Sequence, residues 1–366
     1  MPPLHLALNR TLRSVRTIAG AIALDLPRFL ACTFIYRDRP RLPGWAWNRN
    51  RDDQIKAGLN GEGIECEWEF TRSLHITRVF PGLSTLLLRR MLATYPIQLL
   101  AEPRAEAENT KPEVSFVIGH RGTTRLPHLL LTLMSIAGQS GVSFECLVVE
   151  QSYEQQLEGL LPPWVRYHFT KTPDADYLYN RSWALNEGAR LAKGSTIILH
   201  DGDMLVPAQY AKEMMHQIQA GYQVVNLKRF IAFLDEPSSQ CVFTSKKITG
   251  PLKCEQMMQN ATAGGSIGIQ RDAYFSIGAM DEEFVGWGGE DTEFWDRCQT
   301  LRVANHTYMP IIHLWHPSQP GKAAIHGLGQ STAELFVNRM RMPTRDRIDV
   351  LRRKQESTRL PFLHEH

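Results

Sequence analysis

The chain has 366 residues, 43 % of them hydrophobic, enough for one large domain with additions or for two, and for a substantial core. Its 41 basic and 38 acidic residues leave a formal charge of +3, a balance that gives no argument for nucleic acid as a partner. Six cysteines (Cys32, Cys66, Cys146, Cys241, Cys254 and Cys298) are scattered without a Cys-x-x-Cys pair; they signal neither a zinc site nor a disulfide framework and fit a reducing compartment.

At the start of the chain Arg10, Arg13 and Arg16 lead into the apolar run from Thr17 to Pro27, which has the outline of a signal sequence. Asp25 and Pro27 interrupt that run after about eight residues, too few to cross a bilayer, and no later stretch is longer. We expect a helix packed on the main domain; the alternative is a basic amphipathic helix lying on an anionic membrane surface. Up to residue 110 the chain carries no chemistry-bearing motif. Leu83 to Leu92 has the rhythm of an amphipathic helix, and the polar, Pro-bounded stretch from Ala101 to Pro112 that follows reads as a linker.

Beyond it, apolar runs at 114–118, 144–149, 165–169 and 196–199 are interspersed with helical patterns from Leu126 to Ala137 and from Tyr179 to Ala192. Continuous apolar strands alternating with helices predict a buried, largely parallel sheet with helices on both faces. Ligands of such sheets bind beyond the carboxyl ends of the strands, here the loops 119–124, 150–153 and 200–204. In the last of these Asp201 and Asp203 flank Gly202 directly after a strand. If the strand geometry continued, both carboxylates would share one side and reach one cation, Mg²⁺ or Mn²⁺, that bridges a diphosphate. An ordinary Asp-Gly-Asp turn is the plainer alternative.

The segment from Ala263 to Arg297 is the other strong signal. Gly286-Trp287-Gly288-Gly289 combines a backbone free to take positive φ with a flat apolar plate, and Glu290 and Asp291 open a predicted helix where unpaired N–H groups favour carboxylates. A carboxylate beside a plate on which a sugar can stack suits general-base work on a hydroxyl. The plainer alternative is a helix N-terminus with two solvated acids and a packing tryptophan. Further on, His313 and His316 precede Lys322; two imidazoles offer metal ligands, and the lysine a phosphate contact. The tail from Glu334, with Arg339, Arg341, Arg345, Arg347, Arg352 and Arg353, predicts a solvated basic helix face.

From about Glu113 to Lys322 these segments resemble GT-A-fold glycosyltransferases, in particular the β-1,4-galactosyltransferase and family-2 bacterial chondroitin-polymerase-like group. The shared features occur in the family's order: His120-Arg121 after the first strand, Tyr179-Asn180-Arg181 with Asn186 and Gly188, Asp201-Gly202-Asp203, and Gly264-Gly265 through the Trp-Gly-Gly-Glu-Asp element. The resemblance implies an α/β GT-A catalytic domain over 111–325, between a mainly helical extension (1–110) and a basic helical tail (326–366). It further implies inverting, metal-dependent transfer of a hexose or N-acetylhexosamine from a UDP-sugar to a hydroxyl of a glycan or lipid-linked saccharide. Asp291 would be the base, with Glu290 gripping a sugar hydroxyl. Mn²⁺ or Mg²⁺ would be held by Asp203 and His316, with His313 the second choice of imidazole and Asp201 touching ribose or metal. His120, Arg121, Glu150, Arg181, Gly265, Trp287 and Gly288 would bind the donor. A chain of this kind without disulfides or an evident anchor is expected in the cytoplasm, at most peripheral to the inner face of the plasma membrane. A nucleotidyltransferase acting on sugar phosphates and a non-catalytic glycan-binding scaffold are the competing functions; the first should carry a Gly-rich phosphate loop, of which Gly119-His-Arg-Gly-Thr-Thr-Arg is a poor version.

Overall fold

The computed structural model describes residues 14–30, 64–65, 72–104, 111–261, 264–304, 306–317 and 325–359. The expected linker residues 105–110, Arg10, Arg13, Ala263 and Lys322 lie outside them.

In chain order the strands are β1 (Val114–His120), β2 (Phe144–Ser152), β3 (Arg166–Lys171), β4 (Thr196–His200), β5 (Met204–Leu205), β6 (Val224–Val225), β7 (Lys228–Leu234), β8 (Cys254–Gln259), β9 (Ser266–Gln270), β10 (Val303–Ala304) and β11 (Met309–His313). Around them lie α1 (Pro81–Thr94), α2 (Leu126–Ala137), α3 (Arg181–Leu191), α4 (Tyr210–Gln219), α5 (Glu236–Ser245), α6 (Arg271–Ser276), α7 (Glu290–Cys298), α8 (Ile325–Arg341) and α9 (Thr344–Arg359). The central sheet has the order β10-β6-β9-β4-β1-β2-β3 and is parallel except where β9 runs against both neighbours. This is the mixed α/β architecture with a mostly parallel sheet that the alternation of apolar runs and helices predicts. A smaller sheet joins Arg72–Ser73, β8, β7, β11 and β5.

Both faces of the central sheet are covered, as its unbroken apolar strands require. Phe116 and Ile118 of β1 and Ile198 of β4 face one cluster with Leu129, Leu133 and Ile136 of α2; Val117, Ile197 and Leu199 face a second with Leu185 and Ala189 of α3 and Tyr274, Phe294 and Trp295. The two-residue period thus sorts each strand between two cores. At Gly188 α3 approaches β1 so closely that a Cβ there would lie 2.3 Å from Val117 Cγ1.

The N-terminal helical segment continues through Asp25 and Pro27, the pair that interrupts its apolar run. Residues Ala21–Asp25 widen into a π-helical turn ahead of Pro27, which has no N–H to offer the preceding turn. Asp25 is buried and its Oδ2 accepts the amide of Ile76 at 2.9 Å, while Ala21 and Phe29 join the first core cluster. The segment is packed on the domain as expected. Among the described residues no helix is long and apolar enough to cross a membrane.

Arg341, Arg345, Arg352 and Arg353 lie on the expected solvated face of the tail, and Arg339 and Arg347 depart from it. Arg347 is 2 % exposed and donates to Glu293 Oε1 at 2.9 Å and to Asp296 of α7; Arg339 pairs with Asp281 at 2.7 Å and with Glu283. Acids on α7 and on the loop before it neutralise these arginines, so α8 and α9 are strapped to the domain.

The closeness of α3 to β1 has a measurable consequence. Gly188→Val should destabilise the protein by roughly 1–3 kcal/mol through overpacking, read as a lowered urea midpoint; an unchanged midpoint would show that the helix stands farther from the sheet.

Candidate active site

The site grows from the end of β4. His200, fully buried, lies 2.9 Å from Ser266 Oγ through Nδ1 and 3.1 Å from Met204 O through Nε2, and burial lowers its pKa to about 4, so a neutral imidazole pins the end of the strand. Extended geometry stops there. Residues 201–203 form a turn, which overturns the expectation that Asp201 and Asp203 share one side and serve one cation.

Asp201 points toward α3 and β9. Its Oδ1 accepts Arg181 Nη2 at 2.6 Å and Nε at 3.0 Å, and its Oδ2 accepts the amide of Gly265 at 3.0 Å. The same guanidinium donates through Nη1 to Asp291 Oδ1 at 2.6 Å. Arg181 therefore bridges two acids 90 residues apart. Its own place is fixed by Asn180, which caps α3 by accepting Trp183 N, donates its backbone amide to Gln151 Oε1 and donates Nδ2 to Glu282 O.

Glu290 and Asp291 occupy the first turn of α7, whose N-cap Gly289 has φ 95°. A Cβ at that position would meet Phe284 at 3.0 Å and Phe336 of α8 at 3.1 Å, so both space and backbone conformation call for glycine. Glu290 is 8 % exposed and accepts the amide of Gly288 at 3.1 Å; burial, reinforced by Asp291, raises its pKa to about 7. Burial also raises the Asp291 carboxyl, and Arg181 counters that rise. Trp287 is 51 % exposed. Glu290 and Trp287 thereby depart from the plainer alternative of solvated acids and a packing tryptophan, while the Asp291 side chain stays 30 % exposed.

Asp203 turns the other way. Antiparallel pairing of β5 with β11 sets Met204 opposite His313, and Leu314 N donates to Asp203 O at 2.9 Å. His316 Nε2 lies 3.3 Å from Asp203 Oδ2 and His313 Nε2 3.8 Å from Oδ1. Ligand atoms of the three residues all fall within 4.8 Å of one another. An anionic oxygen with two imidazole nitrogens fits a divalent cation, and of the two metal ligands expected at the turn only Asp203 belongs to the group. Burial opposes ionisation of Asp203, but His313, His316 and Arg125 outweigh it and hold the carboxyl below its ordinary range.

Other expected donor contacts are engaged elsewhere. Glu150 is fully buried, and its carboxylate accepts the amides of Gln156 and Leu157 and the hydroxyl of Tyr167 at 2.6 Å. It fixes the loop after β2, and these three donors already meet its charge. Arg121 donates to Gln151 O at 2.8 Å and Tyr177 O at 2.6 Å and so ties the end of β2 to the loop before α3. His120, 6 % exposed with a pKa lowered by burial to about 4, packs beneath Gly202, with Nε2 3.0 Å from Gly122 O.

Two site residues escaped the sequence reading. Arg125 places Nη1 3.4 Å from Asp203 Oδ2 and Nη2 3.1 Å from His316 Nδ1. Its signal was its place in the Gly119–Arg125 loop, dismissed as a poor phosphate loop. Lys228, fully buried at the start of β7, donates to Ser266 O at 2.5 Å; burial lowers its pKa to about 7 against the pull of Asp291 and Asp201. Nothing local in Asn-Leu-Lys-Arg-Phe marks it.

Residues 252–314 match a family model described as the N-terminal domain of galactosyltransferase. Over that stretch the chain is galactosyltransferase-like. The stretch holds Gly265, the 286–291 loop and His313, while Arg181, Asp201, Asp203 and His316 lie outside it. Human chondroitin sulfate N-acetylgalactosaminyltransferase 1 is 24 % identical over 148 residues, 38 % of this chain; the match spans only 27 % of that relative's length. Among solved structures, the catalytic domain of Drosophila β1,4-galactosyltransferase 7 with xylobiose is 17 % identical over 52 % of this chain and 63 % of that one, with a TM-score of 0.34. Staphylococcus aureus TarS with UDP-GlcNAc is 11 % identical over 57 % and 60 %, TM-score 0.42. A Pyrobaculum calidifontis mannosyltransferase with GDP-Man and Mn²⁺ is 13 % identical over 72 % of each chain, TM-score 0.41. The family match and the human relative support a glycosyltransferase.

Glu290 supplies a pH test. Its folded pKa, about 7, lies above the ordinary 4.5, so its contribution to stability is present below pH 4.5 and lost as the pH rises toward 7. Relative to Glu290→Gln, the parent protein should lose on the order of 3 kcal/mol of unfolding free energy between pH 4.5 and 8. Urea midpoints that shift equally in both proteins would show that Glu290 ionises normally.

Proposed function

We propose that the protein is an inverting, metal-dependent glycosyltransferase that moves a hexose or N-acetylhexosamine from a UDP-sugar to a hydroxyl of a glycan or lipid-linked saccharide. The observation that carries this reading is the Arg181 fork, which joins Asp291 to one arm of a turn whose other arm, Asp203, meets His313 and His316.

In the reaction the acceptor hydroxyl loses its proton to Asp291 as its oxygen bonds to the anomeric carbon. The bond from that carbon to the diphosphate oxygen breaks, and UDP departs with the electron pair. Asp291 suits the base's role because Arg181 favours its ionised form against the rise that burial imposes. Glu290, holding its proton to about pH 7, can donate to a sugar oxygen, and the exposed Trp287 offers a face on which a sugar ring can stack. Asp203, His316 and His313 would hold a divalent cation, and a mixed oxygen and imidazole set favours Mn²⁺ over the oxygen-seeking Mg²⁺. When bound, it would neutralise charge on the departing diphosphate. Asp201, engaged by Arg181 and Gly265, shapes the floor of the site. Arg121 and His120 act by holding the surrounding loops.

A cytoplasmic location beside an anionic membrane, where a lipid-linked acceptor would reside, belongs to the same proposal. It is supported by the helical segment at residues 14–30, which exposes Val15, Ile18 and Ile22 beside Arg16.

Asp291→Asn should retain UDP-sugar binding and lower transfer by roughly 10²–10⁴-fold, the usual worth of a positioned base; full activity, read as UDP release in the presence of acceptor, would remove Asp291 from that role. Asp203→Ala should abolish Mn²⁺-dependent UDP binding in titration calorimetry. Unchanged affinity would remove Asp203 as a ligand.

A further inference from the structure

Arg125 stands where two arrangements of the metal ligands meet. It is the N-cap residue of α2, its side chain is 29 % exposed, and its guanidinium reaches two of the three candidate ligands, Asp203 at 3.4 Å and His316 at 3.1 Å. The contact to His316 is made at Nδ1. A guanidinium only donates, so this bond needs a lone pair on Nδ1 and leaves the proton of the neutral ring on Nε2, directed at Asp203 3.3 Å away. In that form Nε2 cannot coordinate a cation. The same Nδ1 also lies 2.9 Å from Pro317 O, a pure acceptor, and a bond there needs the proton on Nδ1 and frees the Nε2 lone pair toward Asp203. The two partners of Nδ1 are mutually exclusive: one is compatible with metal ligation through Nε2 and the other is not.

Charge points the same way. Arg125 and a divalent cation would compete for the Asp203 carboxylate, which only one of them needs to neutralise. With the cation in place, the guanidinium faces like charge, and its side chain, 29 % exposed, is free to take an anion instead. A diphosphate is such an anion.

We propose that Arg125 couples the binding of metal and diphosphate. With neither ligand present it holds Asp203 and His316 in a form that resists the cation. When both ligands are bound Arg125 would leave Asp203 for the diphosphate; the His316 Nε2 proton would be lost to solvent and one regained at Nδ1, where Pro317 O accepts it, leaving the Nε2 lone pair free to hold the cation. Arg125 is thus a positioning residue whose effect on metal affinity is opposite in sign to that of a residue that merely supports the ligands. The inference rests on the metal site proposed above.

The test is calorimetric titration of Mn²⁺ into the full chain and into Arg125→Gln, each with and without saturating UDP, and with folding checked by circular dichroism. Coupling free energies between ligands commonly correspond to 5- to 150-fold in affinity. In the unsubstituted protein UDP should tighten Mn²⁺ binding by about tenfold or more, whereas Arg125→Gln should bind Mn²⁺ alone about tenfold more tightly than its parent and gain less than about threefold from UDP. Arg125→Lys, which keeps the charge without the fork, should retain most of the UDP effect. Mn²⁺ binding that is unchanged or weakened in a folded Arg125→Gln protein overturns the inference while the metal site stands. Failure of the unsubstituted protein to bind Mn²⁺ with or without UDP overturns the metal site and the inference together.

Discussion

One guanidinium shared by two carboxylates holds the site in a single piece. Arg181 enters from the first turn of α3, Asp201 from the end of the next element, β4, and Asp291 from the first turn of α7, far along the chain from both. Two half-buried acids facing one another would raise each other's pKa and push the elements apart; a cation between them reverses the sign of that interaction. It also sets two neighbouring acids apart. Asp291 is paired with Arg181, whereas its neighbour Glu290 is set against Asp291's charge and has its pKa raised to about 7. Two consecutive carboxyls thereby acquire different roles from their surroundings alone.

The helix that presents those carboxyls is fixed from below. Glu293 accepts Arg297 Nε at 2.8 Å and Arg347 Nη1 at 2.9 Å, and Arg297 Nη1 donates to Ile277 O and Ala279 O; all three side chains are buried. Each guanidinium has its charge and most of its donors met, the condition under which buried ions are tolerable. The last two helices are therefore part of the scaffold of the site. Phe336 of α8 closes on Gly289, and Thr332 donates to Trp287 O at 3.2 Å, so the tail touches the loop carrying the exposed tryptophan.

Much of the framework was legible in local sequence. Leu126 to Ala137 and the start of α7 at Glu290 fall where periodicity and the acidic first turn put them, and β1, β2 and β4 begin at the residues where their apolar runs begin. These features depend on neighbours within one turn or one strand, which is what periodicity reports. Features that depend on distant partners did not show. Glu150 was expected at the end of its strand, but β2 runs on to Ser152, the amides of Gln156 and Leu157 and the Tyr167 hydroxyl claim its charge, and no spacing in the chain announces that. Arg347 looked like one of several tail arginines until Glu293 and Asp296 came to lie against it. Asp201 and Asp203 were judged by strand alternation, which ends one residue too soon.

That early ending shapes the electrostatics of the whole cleft. A strand continuing through residue 203 would have pooled two negative charges on one side, a strong but solitary cation site. The turn instead sends one carboxylate to a permanent cation, Arg181, and the other to two imidazoles and a partly exposed arginine. The first pairing is saturated and structural; the second can exchange its partners, because Arg125 is not locked by burial and a neutral imidazole can move its proton between nitrogens. His200, fully buried and fixed at both ring nitrogens, keeps the root of the turn in place while that exchange occurs. The difference between a fixed ion pair at Asp201 and a looser group of partners at Asp203 thus follows from where a single strand stops.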